Sequence, residues 1–508
     1  MAVIDIGTTA IRMAIAEIDQ AEGIRTLETV SQAVNLGKDT FTRRRIERAT
    51  IEDCVRVLKS YRRLLEEYGI DRPEQMRVVA TSAVREAENR LTFIDRIYSA
   101  TGIQVEPIDE AEANRITYLG IQPYLKTEPE LAAGSAIVVE VGGGSTEVLL
   151  LHNGQVSYAH TYRLGSLRLR ETLAAFRAPA AQARNIMEHQ IERTIEQVVQ
   201  QAPDGGRSEL IALGGDVRFA ALRLLPDWDK THLARLPIGP FEKLTDRILS
   251  LSEDELVRRY HVTYPEAETL GPALLAYFQL ARGLKLDHIL VTNVNLRDGL
   301  LSEMAARGAW SQEFREQIIR SGVDLGRKFG FDEEHCQHVA RLCDSLFDAL
   351  AGEHRLDPRY RFLLHVAALL HEIGLFISYK SYHKHSLYLI QHSELFGLGE
   401  QDVLLVGLVS RYHRRSSPKP IHAGYAGLGR ERRIAVAKMA AMLRVADALD
   451  RSRSQRVTDF QCSRENGRLV IAIPHVDDLS LEQLALKQKG TLFEEIFGMQ
   501  VLLRPVVT

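Results

Sequence analysis

Cysteine is scarce in this chain, with four in 508 residues. Cys54, Cys336, Cys343 and Cys462 are scattered, and none stands in CxxC spacing. They read as reduced thiols, neither a disulfide framework nor a zinc site. No apolar run reaches the length of a membrane span. The chain opens directly on a strand-like run, MAVIDIG, with no basic region or cleavage site before it. No signal peptide is read there, and a cytoplasmic location is expected. An excess of one charge is also missing: the net charge is −3, which gives no overall attraction to polyanions. Neither a membrane nor nucleic acid is therefore expected as a partner. Local basic clusters do exist, at Arg43 to Arg45 with Arg48, at Arg411 to Arg415 and at Arg430 to Arg433. Each reads first as a solvated face and second as part of a polyanion path.

What is present is an ordinary globular composition, 45% apolar and 26% charged. The length exceeds what one hydrophobic core supports, so three or four domains are expected. Strand and helix patterns alternate from Met1 to about Tyr124. Ala2 to Ile6 and Ile11 to Ile18 read as strands, Ile46 to Tyr68 as an amphipathic helix, and Met76 to Ala80 as a buried strand. Ser82 onward reads as a helix, Ile103 to Pro107 as a strand, and Glu110 to about Leu119 as a helix. The pattern restarts near Ala136. Ile137 to Val141 and Glu147 to Leu151 are strands around a glycine turn, and Asn153-Gly154 signals a hairpin. Leu210 to Leu213 and His288 to Val291 lead into further turns. This repetition predicts two similar α/β lobes, at 1–124 and 125–303. Helical patterns then dominate, giving an all-helical domain at 304–455. Strands at Gly467 to Pro474 and Met499 to Val506, around a helix at Leu479 to Gly490, give a small α/β tail at 456–508.

The chemistry sits in the glycine turns. In Asp5-Ile6-Gly7-Thr8-Thr9, Gly7 permits a tight turn and close approach of a ligand. The amides and hydroxyls of Thr8 and Thr9 can bind phosphate oxygens. Asp5 can hold Mg²⁺, because hard cations take oxygen ligands. Alone, this run also suits an ordinary hairpin. Gly142-Gly143-Gly144-Ser145-Thr146-Glu147 is more specific. Three glycines after a buried strand cost backbone entropy, and they read as a nest of amides facing an anion, with Gly143, Gly144 and Ser145 as phosphate binders. Gly214-Gly215-Asp216 repeats the strand-to-glycine turn and adds Gly215.

The two hairpins, with Ala80-Thr81-Ser82-Ala83-Val84-Arg85 between them, resemble the exopolyphosphatase and guanosine pentaphosphate phosphatase family. Leu164-Gly165-Ser166, Gly214-Gly215-Asp216 and Leu296-Arg297-Asp298-Gly299-Leu300-Leu301 extend the match. The resemblance implies duplicated actin-like lobes of the ribonuclease H-like kind, a Mg²⁺-dependent phosphoanhydride hydrolase, and a homodimer. It implies that Arg85 contacts phosphate; Arg12 and Asn89 are weaker candidates. It places a catalytic carboxylate in Ile108-Asp109-Glu110-Ala111-Glu112-Ala113-Asn114-Arg115. Glu112 is the match by residue type, with Glu110 in reserve, to orient or deprotonate the attacking water. Counted back from Gly120 without a gap, the position falls on Ala113. Glu140 stands where the family has aspartate, one methylene shorter. It is taken as a metal ligand with Asp5 and as part of the catalytic set, with reduced activity or altered metal preference expected.

The match continues into the family's long form, whose helical domain is HD-like: His371-Glu372-Ile373-Gly374, Tyr382-His383-Lys384-His385-Ser386 and Arg411-Tyr412-His413-Arg414-Arg415. A working HD metal site needs a histidine, a His-Asp pair and a distant aspartate. This chain offers His335, His371-Glu372 and Asp447. With Glu372 in place of aspartate, a structural or polyanion-guiding role is expected, with His383, Lys384, His385, Arg411, His413, Arg414 and Arg415 as a basic lining. The leading functional expectation is an exopolyphosphatase acting on inorganic polyphosphate. A guanosine pentaphosphate 5′-phosphohydrolase is the alternative within the class. An ATP-dependent kinase lacks any signature for an adenosine pocket or an acceptor site. A non-catalytic sensor of polyphosphate or nucleotide is the reading from another class.

Overall fold

The computed structural model describes all residues except 20–22, 129–130, 132–133, 176–179, 202–207, 307–311, 477 and 507–508. The chain divides into two units, Met1–Ser311 and Gln312–Thr508. The first contains two sheets built on one plan. Sheet one holds β1 (Ala2–Ile6), β2 (Ala10–Asp19), β3 (Gly23–Ala33), β4 (Met76–Ala80) and β5 (Glu106–Pro107), in the order β3-β2-β1-β4-β5. β1 pairs antiparallel with β2 and parallel with β4. Sheet two holds β6 (Ser135–Val141), β7 (Thr146–His152), β8 (Gln155–Tyr162), β9 (Ser208–Leu213), β10 (Ala234–Pro237) and β11 (His288–Val291). Its order is β10-β11-β9-β6-β7-β8, again with β6 antiparallel to β7 and parallel to β9. Apart from the added edge strand β10, the second sheet repeats the first. These are the two similar α/β lobes that the repeated sequence pattern predicts, in the duplicated arrangement that the family resemblance implies.

Period-two alternation explains how β1 and β6 deliver an acid to one place. Ala2, Ile4 and Ile6 face one core of lobe I, while Val3 joins Ala113, Ile116, Leu300 and Leu301 on the other face. Asp5 follows Val3 on that second face, at the carboxyl end of the strand. In β6, Ile137, Val139 and Val141 enter the lobe II core, so Glu140 falls on the opposite face. The helices Glu110–Thr127 and Leu296–Ala305 cross closely: a Cβ at Gly120 would meet Val294 at 2.7 Å, and one at Gly299 would meet the Ile116 carbonyl oxygen at 2.1 Å.

The second unit is mainly helical, with helices Gln312–Lys328, Glu333–Ala349, Arg359–Leu370, Tyr382–Gln391, Glu400–Tyr412 and Arg430–Leu449 among others. It ends in a sheet of order β12-β13-β14, formed by β12 (Gln461–Glu465), β13 (Arg468–Pro474) and β14 (Gln500–Val506). Among the described residues, no helix is long and apolar enough to cross a membrane.

Candidate active site

The strand-one to strand-two turn of each lobe is built the same way. In lobe I the Gly7 amide donates to the Ala10 carbonyl at 3.0 Å; in lobe II the Gly142 amide donates to the Ser145 carbonyl at 2.8 Å. The turns meet. A Cβ at Gly143 would lie 2.3 Å from Thr8 Oγ1 and 3.0 Å from Thr8 Cβ, so glycine is what allows the contact. A third turn closes in at Gly214, whose φ of +117° is a conformation left to glycine. Tyr277 holds this end together: its hydroxyl accepts from the Val141 amide at 2.7 Å and donates to the Leu213 carbonyl.

A cavity of about 490 Å³ lies over these turns. Asp5, Thr8, Thr9, Arg85, Glu140, Gly143, Ser145 and Gly215 all line it. Two of the sequence-selected residues do not. Gly144 faces away, since a Cβ there would meet Phe41 at 2.4 Å and Ser82 Oγ at 2.5 Å; its smallness serves packing beneath the turn. Glu112, expected to orient the water, is held outside the cavity. Its carboxylate accepts from Arg77 at 2.6 Å and from Arg115 at 3.2 Å, and Arg115 also bonds Glu303 at 2.5 Å. This ion cluster ties the two crossing helices to β4. The cavity wall at that point is Ala113 and Thr117, so the ungapped count back from Gly120 describes the geometry. The reserve residue Glu110 lies 3.6 Å from Arg85 Nη2, and Asn89 bonds the backbone of Ile46.

Three lining residues were given no firm role on sequence. Glu147 closes the Gly142–Glu147 run; the Ser145 hydroxyl donates to it at 2.6 Å. Arg218 and Arg297 come from the helices that follow the Gly214 and Asn293 turns. Arg218 donates to the Val294 carbonyl at 2.9 Å, and Arg297 lies 3.5 Å from Asp5. An arginine within the first four residues of a helix that directly follows a core strand and its turn is the signal that could have found them. With Arg12 and Arg85, four guanidinium groups face five carboxylates: Asp5, Glu140, Glu147, Asp216 and Glu266.

The electrostatics are uneven. Burial, and then the neighbouring Glu147 carboxylate, push Glu140 up to about 7. Burial also raises Glu147, against the pull of the Ser145 hydrogen bond and Arg85. Burial raises Asp216 to about 6, against the pull of Arg12. Oxygen-only donors with surplus negative charge fit a hard divalent cation better than a soft one. Acids with proton affinity near neutrality also suit proton transfer.

Two actin-like lobes closing paired glycine turns over a cavity of acids and guanidinium groups define the cleft of an enzyme for phosphoryl chemistry. The sequence model of the Ppx/GppA phosphatase family matches residues 14–307, and that of Ppx/GppA phosphatase domain III matches residues 318–490. The chain belongs to the Ppx/GppA phosphatase family and is a phosphoanhydride hydrolase. The crystal structure of the Aquifex aeolicus member of that family is 25% identical, with a TM-score of 0.50, over 61% of this chain and 98% of that one. An exopolyphosphatase from Cytophaga hutchinsonii is 21% identical, with a TM-score of 0.53, over 60% of this chain and 97% of that one, a likeness of fold.

The basic lining expected in the second unit is also revised. His413 is buried, its ring 4.9 Å from that of His371, with Nε2 bonded to Tyr382 at 3.0 Å. It belongs to the interior of the helical unit and offers nothing to a surface path.

Proposed function

We propose that this enzyme hydrolyses the terminal phosphoanhydride of inorganic polyphosphate in the cytoplasm, with guanosine pentaphosphate as the alternative substrate. The reading rests on one observation: two turns of like geometry, one from each lobe, abut at Thr8 and Gly143 beneath a single charged cavity. Thr8 and Thr9 hold the terminal phosphoryl group from one side, and Gly143, Ser145 and Gly215 from the other. Arg85, with Arg12, Arg218 and Arg297, offsets the charge that otherwise repels a nucleophile. Glu147 replaces Glu112 as the group that takes the proton from water. The water oxygen bonds to phosphorus as the bridging P–O bond breaks. Its electron pair leaves on the shortened chain, and inorganic phosphate is released. Mg²⁺ suits the oxygen donors of Asp5 and Glu140 and, when bound there, supplies charge neutralisation.

Phosphate release from long-chain polyphosphate and from guanosine pentaphosphate, measured side by side with Mg²⁺, tests this. Release from polyphosphate at the higher kcat/KM is expected. Faster cleavage of the nucleotide selects the alternative. Tight binding of both without release, or transfer of phosphate from ATP to an acceptor, overturns the hydrolytic reading.

A further inference from the structure

A second cavity, of about 960 Å³, lies in the first unit and shares no lining residue with the cleft. One wall comes from residues 162–169 and the other from the helix Ala180–Gln201. That helix is divided lengthwise. Met187, Ile191 and Val198 enter the lobe II core. Gln182, Asn185, His189, Arg193 and Gln197, at steps of three or four residues, share the face on the cavity. Glu188, Glu192 and Glu196 stand at the same spacing on a face that does not line it. Glu188 instead accepts from Arg184 at 2.9 Å and from Gln279 at 3.0 Å. Among the described residues, no carboxylate lines this cavity, whereas five line the cleft.

Three arginines line it: Arg163, Arg168 and Arg193. Arg168 is committed to the phosphate turn. Its Nε donates to the Gly144 carbonyl at 2.8 Å, and its Nη2 to Glu86 at 2.7 and 3.0 Å. Arg163 shares Glu86 at 2.7 Å, but its side chain is 72% exposed, so that pair is weak. Arg193 has no ion pair among the described residues. A concave wall with positive charge and no acid attracts an anion. The volume suits an organic ligand rather than a lone oxyanion, and Leu164, Leu169 and Ile186 add apolar surface. The amides of Gln182, Asn185 and Gln190 each present a donor beside an acceptor. That pair matches the N6 and N7 edge of adenine. The N1–H and N2–H₂ edge of guanine calls for a carboxylate.

We propose that this cavity binds an adenine mononucleotide, with its phosphate on Arg193 and its base against the amides of Asn185 and Gln190. Asn185 precedes Arg193 by about 12 Å along the helix, comparable to an extended mononucleotide. Arg163 joins Arg193 on the phosphate, which takes it from Glu86. The site stands whatever substrate the cleft takes, since a mononucleotide has no phosphoanhydride to cut.

Calorimetric titration of the full-length protein with AMP gives the test. One equivalent is expected to bind. GMP and ribose 5-phosphate, which keep the phosphate but change or lack the base, should each bind about 10-fold more weakly or worse. Arg193→Glu, an exposed change outside the cleft, should weaken AMP by about 30-fold or more. Glu86→Gln, which frees Arg163, should strengthen it by about threefold. No binding of AMP overturns the proposal, and so does AMP binding that survives Arg193→Glu. GMP or ribose 5-phosphate binding as tightly as AMP overturns the recognition of adenine. An unchanged affinity in Glu86→Gln overturns the part given to Arg163.

Discussion

The two phosphate-turn hairpins share backbone and register but differ in the charge set across them. In lobe I, Asp5 on β1 pairs with Arg12 on β2. In lobe II, at the equivalent register, Glu140 on β6 pairs with Glu147 on β7. Side chains directly opposite in an antiparallel pair share a face, so the first hairpin presents a neutral pair and the second a like-charged one. Duplication supplied two copies of one scaffold, and a single cross-strand position separates their chemistry. Lobe I is suited to gripping an anion. Lobe II holds two acids whose proton affinity burial raises, and at Glu140 the neighbouring Glu147 carboxylate raises it further.

Removing the distinctive acid should have the largest effect. Glu147→Gln keeps the shape and the Ser145 contact but cannot take a proton, so kcat should fall about 10³-fold with KM little changed. Steady-state phosphate release checks this, and a loss below about tenfold would return Glu147 to a supporting role. The glycines sharpen the comparison next. Gly143→Ala sets a Cβ at 2.3 Å from Thr8 Oγ1, whereas the nearest atoms to a Cβ at Gly7 are the Ala10 carbonyl oxygen at 3.2 Å and Arg12 Nη1 at 3.4 Å. Forced contact of that kind costs about 1–3 kcal/mol. Activity should therefore fall about 10–100-fold for Gly143→Ala and less for Gly7→Ala. The reverse order would mean that the two turns do not work against each other.

Much of this arrangement is legible in the sequence because short apolar runs and glycine turns are local signals. β4 and β11 are read to the residue, and the Asn153-Gly154 hairpin turn has the positive φ values, 52° and 71°, that such dipeptides permit. β3 is missed because it is an edge strand, mostly exposed, with no apolar face in GIRTLETVSQA. Its conformation comes from pairing with β2 along its length. β12 escapes for the same reason. Glu112 falls off the cavity wall because residue type says nothing about helix rotation. Ala113 and Thr117, four apart, share the face on the cavity, while Glu112 and Arg115, three apart, share the next one. Composition shows neither that rotation nor Glu303, which arrives from a helix far along the chain.

The like-charged pair also has a thermodynamic signature that its neutral counterpart should lack. Glu140 titrates at about 7 in the folded chain, above the ordinary 4.5. The proton it keeps stabilises the fold fully below about 4.5, and that stability is lost as pH rises through about 7. With chelator present, the thermal midpoint of the native protein should therefore fall over that window, and Glu140→Gln should fall less. The carboxylate faces cavity water, so the difference between pH 5 and pH 8 should be about 1–2 kcal/mol. Parallel curves for the two proteins would mean that neither burial nor Glu147 raises Glu140, and the contrast between the hairpins would lose its electrostatic basis.

The smallest effect on activity belongs to the acid that sequence favours most. Glu112→Gln leaves the cavity wall of Ala113 and Thr117 intact, and phosphate release should stay within about twofold of native. The change should be seen in stability instead. Arg77 and Arg115 keep Glu303 but lose one of the two carboxylates they share. The Glu112 side chain is 24% exposed and glutamine can still accept from both guanidinium groups, so the cost should be about 1 kcal/mol, read as a small drop in thermal midpoint. Glu112 and Glu147 thus form a matched pair of glutamine substitutions with opposite expectations, one structural and one chemical. A hundredfold loss of kcat in Glu112→Gln with an unchanged midpoint would reverse them. It would require the helix Glu110–Thr127 to rotate by about one residue in the working enzyme, bringing Glu112 to the wall where Ala113 now stands.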